Sequence, residues 1–288
     1  MSVKIVNISD KEDTYREVEV EGFIELKSRL DVNLPENFIF SIVNYATRNA
    51  YRYIPLLHPV PIREVVLLIK SYENYIKLNV KGWTIAKTGI EMDLLFGLSL
   101  GLIACHHYLT LNNVEITRIS NICVKKKIKL PMTNTSPLIR NIEEKELSRE
   151  IKLEEYEDGD EAVTTGSIVL KEETIDKIIF KRVEKGDVLT VAKTVSLLNA
   201  KRVSELLPLR VKMITSIEQD ITVRENKVNV ISKVKVKDKY RPLCESLFAT
   251  FTALLTVWDM VKKYEKNSEG QYPYTMINDV KVLTYRKS

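Results

Sequence analysis

The chain carries one pattern twice, and this limits its architecture more than any other feature of the sequence. ATRNAYRYIPLLHP (Ala46 to Pro59) lies over NAKRVSELLPLRVK (Asn199 to Lys212), with Ile54, Pro55 and Leu56 matching Leu207, Pro208 and Leu209 at an offset of 153. GIEMDLLFGLSLGLIACHHYL (Gly89 to Leu109) lies over RPLCESLFATFTALLTVWDMV (Arg241 to Val261) at an offset of 152. RISNICVKK (Arg118 to Lys126) then lies over MINDVKVLT (Met276 to Thr284), where the offset has grown to 158 across a turn-rich insertion, NSEGQYPY, Asn267 to Tyr274. A diverged tandem duplication must fold twice on one plan.

The joint falls in KKKIKLPMTNTSPL, Lys125 to Leu138, whose Pro, Thr, Asn and Ser residues read as a linker. The expected domains are therefore residues 1–136 and 137–288, with 137–161 an acidic linker region. A chain of 288 residues suits two such units, each with its own core.

Within each repeat, a strand-like opening (Glu17 to Leu26; Glu161 to Lys171) leads to a helix around Ala46 or Ala200. Two alternating stretches, a long apolar helix (Met92 to Leu109; Cys244 to Tyr264) and a short final strand follow. Strands and helices mixed without a parallel βαβ rhythm predict an α+β class. Each repeat is expected to be a ferredoxin-like α/β sandwich, an antiparallel sheet with helices on one face.

Composition excludes fibrous and low-complexity classes, since 44% of residues are hydrophobic and Gly and Pro number nine each. Cys105, Cys123 and Cys244 are odd in number and far apart, which fits a reducing cytoplasm better than a disulfide framework. The N-terminus mixes charges without an apolar core, and the longest apolar run, Met92 to Cys105, contains Asp93 and is too short to span a bilayer. A soluble, unprocessed protein is expected. Glu143 to Glu161 holds ten acidic residues against three basic ones, so a chain of net charge +5 carries +12 elsewhere. Such a surface attracts anions, although most of its lysines also read as ordinary solvated charges.

Glu245, Asp259 and Lys262 are spaced to fall within about 40° of one another around a helix that is otherwise apolar. That stripe suits a site; an internal Asp259–Lys262 ion pair at a domain interface fits it equally. EKGDVL, Glu184 to Leu189, reads as a turn into a helix capped by Asp187, with Lys185 beside the positive helix end as a base, an anion contact or a solvated loop lysine. His58 sits in IPLLHP between two prolines, where a packing role competes with a catalytic one. His106 and His107 are adjacent and point apart on a helix, so no metal site is read.

Together these segments resemble the cyclic pyranopterin monophosphate synthases, the C protein of molybdenum cofactor biosynthesis. That family carries an opening with Asp, Lys and Arg, then KGDV, AAKRTxxLIPLCHP, a TGKTGVEME turn and an IYDMCKAV helix end. This sequence has NISDKEDTYR, IPLLHP and AKTGIEMD in the first repeat, and KGDV, NAKRVSELLPL and VWDMVKKY in the second. The first repeat keeps Lys11, Arg16, His58 and Glu91 but has His107 and Thr110 at the helix end. The second keeps Lys185, Lys201, Glu245, Asp259 and Lys262 but has Asp160 for the arginine and Val211 for the histidine, and its EME turn starts at Leu243. The opening aspartate is Asn7, the cysteine before the histidine is Leu57 or Arg210, and the glycine-rich SGGKSG tail has no counterpart.

The family's sites lie at subunit interfaces. The resemblance therefore implies an intrachain pseudo-dimer with one composite site kept and one lost, and a homo-oligomer of three chains equivalent to a hexamer. It implies conversion of 3',8-cyclo-7,8-dihydro-GTP to cyclic pyranopterin monophosphate with release of pyrophosphate. Lys185, Lys262, Asp259 and His58 would be catalytic, and Lys11, Arg16, Glu91, Lys201 and Glu245 would bind the purine triphosphate derivative. No cofactor, nucleic acid or membrane is implied. The alternative is a catalytically degenerate paralogue that binds a nucleotide or pterin, or serves as partner subunit of a genuine synthase. A basic nucleic-acid-binding protein has no helix-turn-helix, RNP or zinc motif to support it.

Overall fold

Along the first strand, β1 (Thr14–Leu26), Val18, Val20 and Ile24 are fully buried while Glu17, Glu19 and Glu21 between them face outward. That period-two pattern puts one face of a sheet on a core and leaves the other to water. A computed structural model describes residues 3–132, 160–237 and 240–286. The boundary near Pro137 and the acidic stretch up to residue 159 lie outside the described residues.

The first repeat continues with α1 (Glu36–Asn49), a 3-10 turn (Ala50–Arg52), β2 (Glu64–Ser71), β3 (Tyr75–Ala86), α2 (Glu91–Leu111) and β4 (Ile116–Pro131). The second comprises β5 (Glu161–Val169), α3 (Glu172–Ile179), α4 (Val188–Asn199), a 3-10 turn (Ala200–Glu205), β6 (Ile214–Arg224), β7 (Lys227–Val236), α5 (Leu243–Glu265) and β8 (Met276–Arg286). The closing strands are not short: β4 has 16 residues. The sequence pattern also passed over α3, whose eight residues bury only Thr174, Ile175 and Ile178, too few to show a period.

Both repeats share a single antiparallel sheet of eight strands, in the order β2-β3-β1-β4-β8-β5-β7-β6. The join is reciprocal. Ile119 of β4 pairs with Val280 of β8, and Ile122 pairs with Ile277; at the repeat offset of 158, each of these residues faces the equivalent of the other's position. Arg118 extends the seam, bonding Glu25 and Asp279 at 2.8 Å each. Between the helices, Phe96 meets its own counterpart Phe248 edge-on, 5.9 Å between centroids. Equivalent residues in mutual contact mark a local two-fold axis, as in an isologous dimer interface.

Helix α2 is apolar on all sides because it is enclosed on all sides, with the sheet beneath it and α1 and α5 beside it. A Cβ at Gly97 or Gly101 would collide with α1 at Thr47 or Val43, so the close approach of the two helices requires glycine there. At 21 and 23 residues, α2 and α5 are long and apolar enough to cross a membrane, but both are packed inside the fold as core helices.

Candidate functional site

Because α2 and α5 run antiparallel across the two-fold, the N-terminus of α2 from the first repeat meets the C-terminus of α5 from the second. Carboxylates at a helix N-terminus and ammoniums at a C-terminus each complement the local dipole. The sequence supplies this arrangement, with Glu91 and Asp93 opening α2 and Lys262 and Lys263 closing α5. A cavity of about 590 Å³ lies here, lined by residues of both repeats.

From the first repeat come Lys11, Arg16, His58 and Glu91, and from the second Lys185 and Lys262. Arg16 is buried at the start of β1 and aimed by two carbonyls: Nε donates to Ala86 O at 2.9 Å and an Nη to Lys87 O at 3.1 Å. Asp259 stands behind the wall, fully buried. Lys185 Nζ donates to its Oδ2 and its main-chain carbonyl, both at 2.8 Å, and Lys262 Nζ lies 2.9 Å from its Oδ1. Asp187 caps α4 by accepting from the Thr190 amide, which fixes the turn carrying Lys185.

Two residues expected at the site lie elsewhere. Lys201 is exposed on the 3-10 turn after α4 and does not line the cavity. Glu245 opens α5 and pairs with Lys212 at 2.9 Å, both buried. It shares a helix face with Asp259, but 14 positions along an α-helix is about 21 Å, so angular agreement did not bring them together. At the two-fold equivalent of the cavity, His107 and Thr110 stand near the end of α2 where α5 has Asp259 and Lys262, and Leu243 opens α5 where α2 has Glu91, so the counterparts of that Asp–Lys pair and of Glu91 are lost there.

Four groups escaped the sequence reading. Glu91 is the hub of three of them: Tyr272 O–H donates to its Oε1 at 2.8 Å, Lys127 Nζ lies at 3.1 Å and Lys266 Nζ at 3.8 Å. The fourth, Asp93, is buried in the first turn of α2 and lines the cavity. The intrusion of a carboxylate into an apolar helix was visible for Asp93. Lys127 and Lys266 lay hidden among many surface lysines, and Tyr272 in an insertion.

Burial and charge set the protonation states. Burial pushes the Glu91 carboxyl up, but Lys127, Lys262 and Lys266 outweigh it and hold the group well below the usual carboxylate range. Burial dominates at Asp93, opposed by Lys262 and reinforced by Glu91 and Asp259, and raises it to about 7. Burial lowers Lys266 to about 8, with Glu91 opposing. It also lowers Lys185, against Asp259. At Lys262 the pull of Asp259 and Glu91 overcomes burial and the ammonium is stabilised. Nine lysines and arginines against four carboxylates line the cavity, so its field favours a polyanion.

The MoaC family model matches residues 5–129 and again residues 153–287. A probable cyclic pyranopterin monophosphate synthase of Saccharolobus solfataricus is 49% identical over 124 residues, 43% of this chain and 83% of that protein. Its namesake in Sulfurisphaera tokodaii is also 49% identical, over 44% of this chain and 85% of its own length. A probable cyclic pyranopterin monophosphate synthase accessory protein of Methanothermobacter thermautotrophicus is 34% identical over 44% of this chain and 80% of that protein. These relatives are about the size of one repeat. A solved structure of an unknown protein from Galdieria sulphuraria overlaps 95% of the chain at 11% identity and a TM-score of 0.17, too low to carry an argument.

Proposed function

Because the chain belongs to the MoaC family, with relatives named as cyclic pyranopterin monophosphate synthases, we propose that it serves molybdenum cofactor biosynthesis as a pyrophosphate-releasing lyase. Its substrate is 3',8-cyclo-7,8-dihydro-GTP, its product cyclic pyranopterin monophosphate, and its site the cavity between the repeats. One observation carries this reading: Arg16, His58 and Glu91 of the first repeat line the same cavity as Lys185 and Lys262 of the second.

The roles follow from the charge states. Forming a cyclic monophosphate from a triphosphate makes a bond from a sugar oxygen to the α-phosphorus and breaks the bond to the departing pyrophosphate. Lys11, Arg16 and Lys262 line the cavity with positive charge that clamps the phosphates and neutralises the leaving group. Reclosing the purine as a pterin needs proton transfers at several atoms, for which groups tuned toward neutrality serve best. Lys185, with its lowered affinity for a proton, and Asp93, near 7, fill those roles, and His58 shares the task by its place in the same cavity wall. Asp259 keeps Lys185 and Lys262 in place, and so positions the catalysts.

Each repeat, as a βαββαβ unit with its strands in the order 4-1-3-2, supports a ferredoxin-like sandwich, with α3 added in the second. Three such chains would assemble as the equivalent of a hexamer, in the cytoplasm. A second reading, a degenerate accessory subunit, is favoured by the relative of that name. Incubating the purified chain with the cyclised GTP separates the two: pyrophosphate release supports the synthase, and its absence supports the accessory role.

A further inference from the structure

The loop that joins α5 to β8, Lys266 to Thr275, has ten residues; its equivalent between α2 and β4, Asn112 to Glu115, has four. The extra segment closes on itself. Asn267 Oδ1 accepts from the amides of Glu269 and Gln271, and Gly270 takes a positive φ of 76° that a side chain would resist. It also crosses to the other repeat. The Gln271 side chain accepts from Lys127 N at 3.0 Å and donates to Lys127 O at 2.8 Å, docking the loop on β4 as a further strand would. Tyr272 is then driven inward, 4% exposed, with its ring against Trp258 and its hydroxyl on Glu91 Oε1.

Glu91 Oε1 therefore receives Tyr272 and Lys127, while Oε2 is buried against Gly89. We infer that Tyr272 of the inserted loop is a positioning residue that fixes the Glu91 carboxylate from across the repeat interface, with Oε1 turned toward the lysines of the cavity wall and Oε2 seated against Gly89. The lysines alone do not set this orientation, because an ammonium attracts either oxygen, whereas a phenol held by its ring in a packed wall donates along one line. The device is one-sided. The first repeat has the short loop, and the residue equivalent to Glu91 in the second is Leu243. An insertion that completes one composite site and not its two-fold mate marks which of the two is in use.

This rests on the cavity being the substrate site, and the test keeps the two claims apart. A double-mutant cycle of Tyr272→Phe and Glu91→Gln is read by pyrophosphate release from the cyclised GTP and by calorimetric affinity for GTP itself. Tyr272→Phe keeps the ring and its packing, and its melting temperature, checked alongside, should match the wild type. The expected result is a loss of about tenfold from Tyr272→Phe in the wild-type background and no further loss in the Glu91→Gln background, since coupled residues are non-additive. Equal losses in both backgrounds, or no response in either readout, overturn the inference. If no pyrophosphate appears but GTP affinity shows the same non-additivity, the synthase reading falls and the positioning role stands.

Discussion

Lys185 reaches from the KGD turn to grip Asp259 twice, through the carboxylate Oδ2 and the main-chain carbonyl, each at 2.8 Å. Lys262 holds the other carboxylate oxygen at 2.9 Å. One fully buried aspartate thus serves two ammoniums, and the last turns of α5 cannot move without carrying both cavity lysines with them.

Asp259→Asn should therefore be costly to the fold. Two ammoniums lose their buried counter-charge, and breaking a buried pair by removing one partner costs about 3–5 kcal/mol. Urea unfolding at neutral pH should show a lowered midpoint with an unchanged slope.

Lys185→Ala should eliminate pyrophosphate release yet retain the far-ultraviolet circular dichroism of the wild type. Asp259 keeps Lys262 as its partner in this variant, so the loss reports proton transfer and not collapse of the wall. A variant that retains full turnover would remove Lys185 from the chemistry.

Gly89→Ala tests how closely Glu91 must be placed. A Cβ there would overlap the Glu91 carboxylate, the far end of a flexible side chain, so the fold should survive while the carboxylate is pushed aside. Displacements of this kind cost up to about 100-fold in rate. Steady-state kinetics with a matched melting curve would check it.

Asp93, raised to about 7 from 3.8, fixes a pH dependence of stability. Between these values the folded chain retains a proton that the unfolded chain has lost, so stability falls as pH rises from about 4 to 7, and this contribution is constant outside that window. Asp93→Asn should remove that fall. Urea midpoints of both proteins between pH 4 and 8 should converge in slope only above pH 7.

Lys201→Ala should leave turnover unchanged, because its side chain is exposed outside the cavity. Glu245→Gln should weaken the fold and not the chemistry, since it takes the carboxylate from buried Lys212 about four helical turns from the catalytic end of α5. Turnover and urea unfolding, measured side by side, separate the two effects.

Much of this was written in the chain order. The repeated motifs, the alternation along β1 and the apolar lengths of α2 and α5 are local patterns, and local patterns fix element type because burial on one face imposes a period of two or 3.6. The Asp187 cap was legible for the same reason: it concerns residues three apart. Glu245 shows the limit. Its spacing puts it on the helix face of Asp259, and its distance along the axis puts it at the opposite end of the helix.

By itself, then, the sequence determined that there are two copies of one unit, which elements each contains, and which copy retains Arg16, His58 and Glu91 and which Lys185, Asp259 and Lys262. Only the tertiary structure decided that β4 and β8 join the copies into one sheet, that the antiparallel crossing of α2 and α5 brings those two sets to a single cavity, and that Lys127, Lys266 and Tyr272 close around Glu91. The reason is physical. A salt bridge or phenol hydrogen bond between residues 36 or 181 positions apart leaves no period in the chain, and it exists only once packing has removed the water that would otherwise solvate each partner.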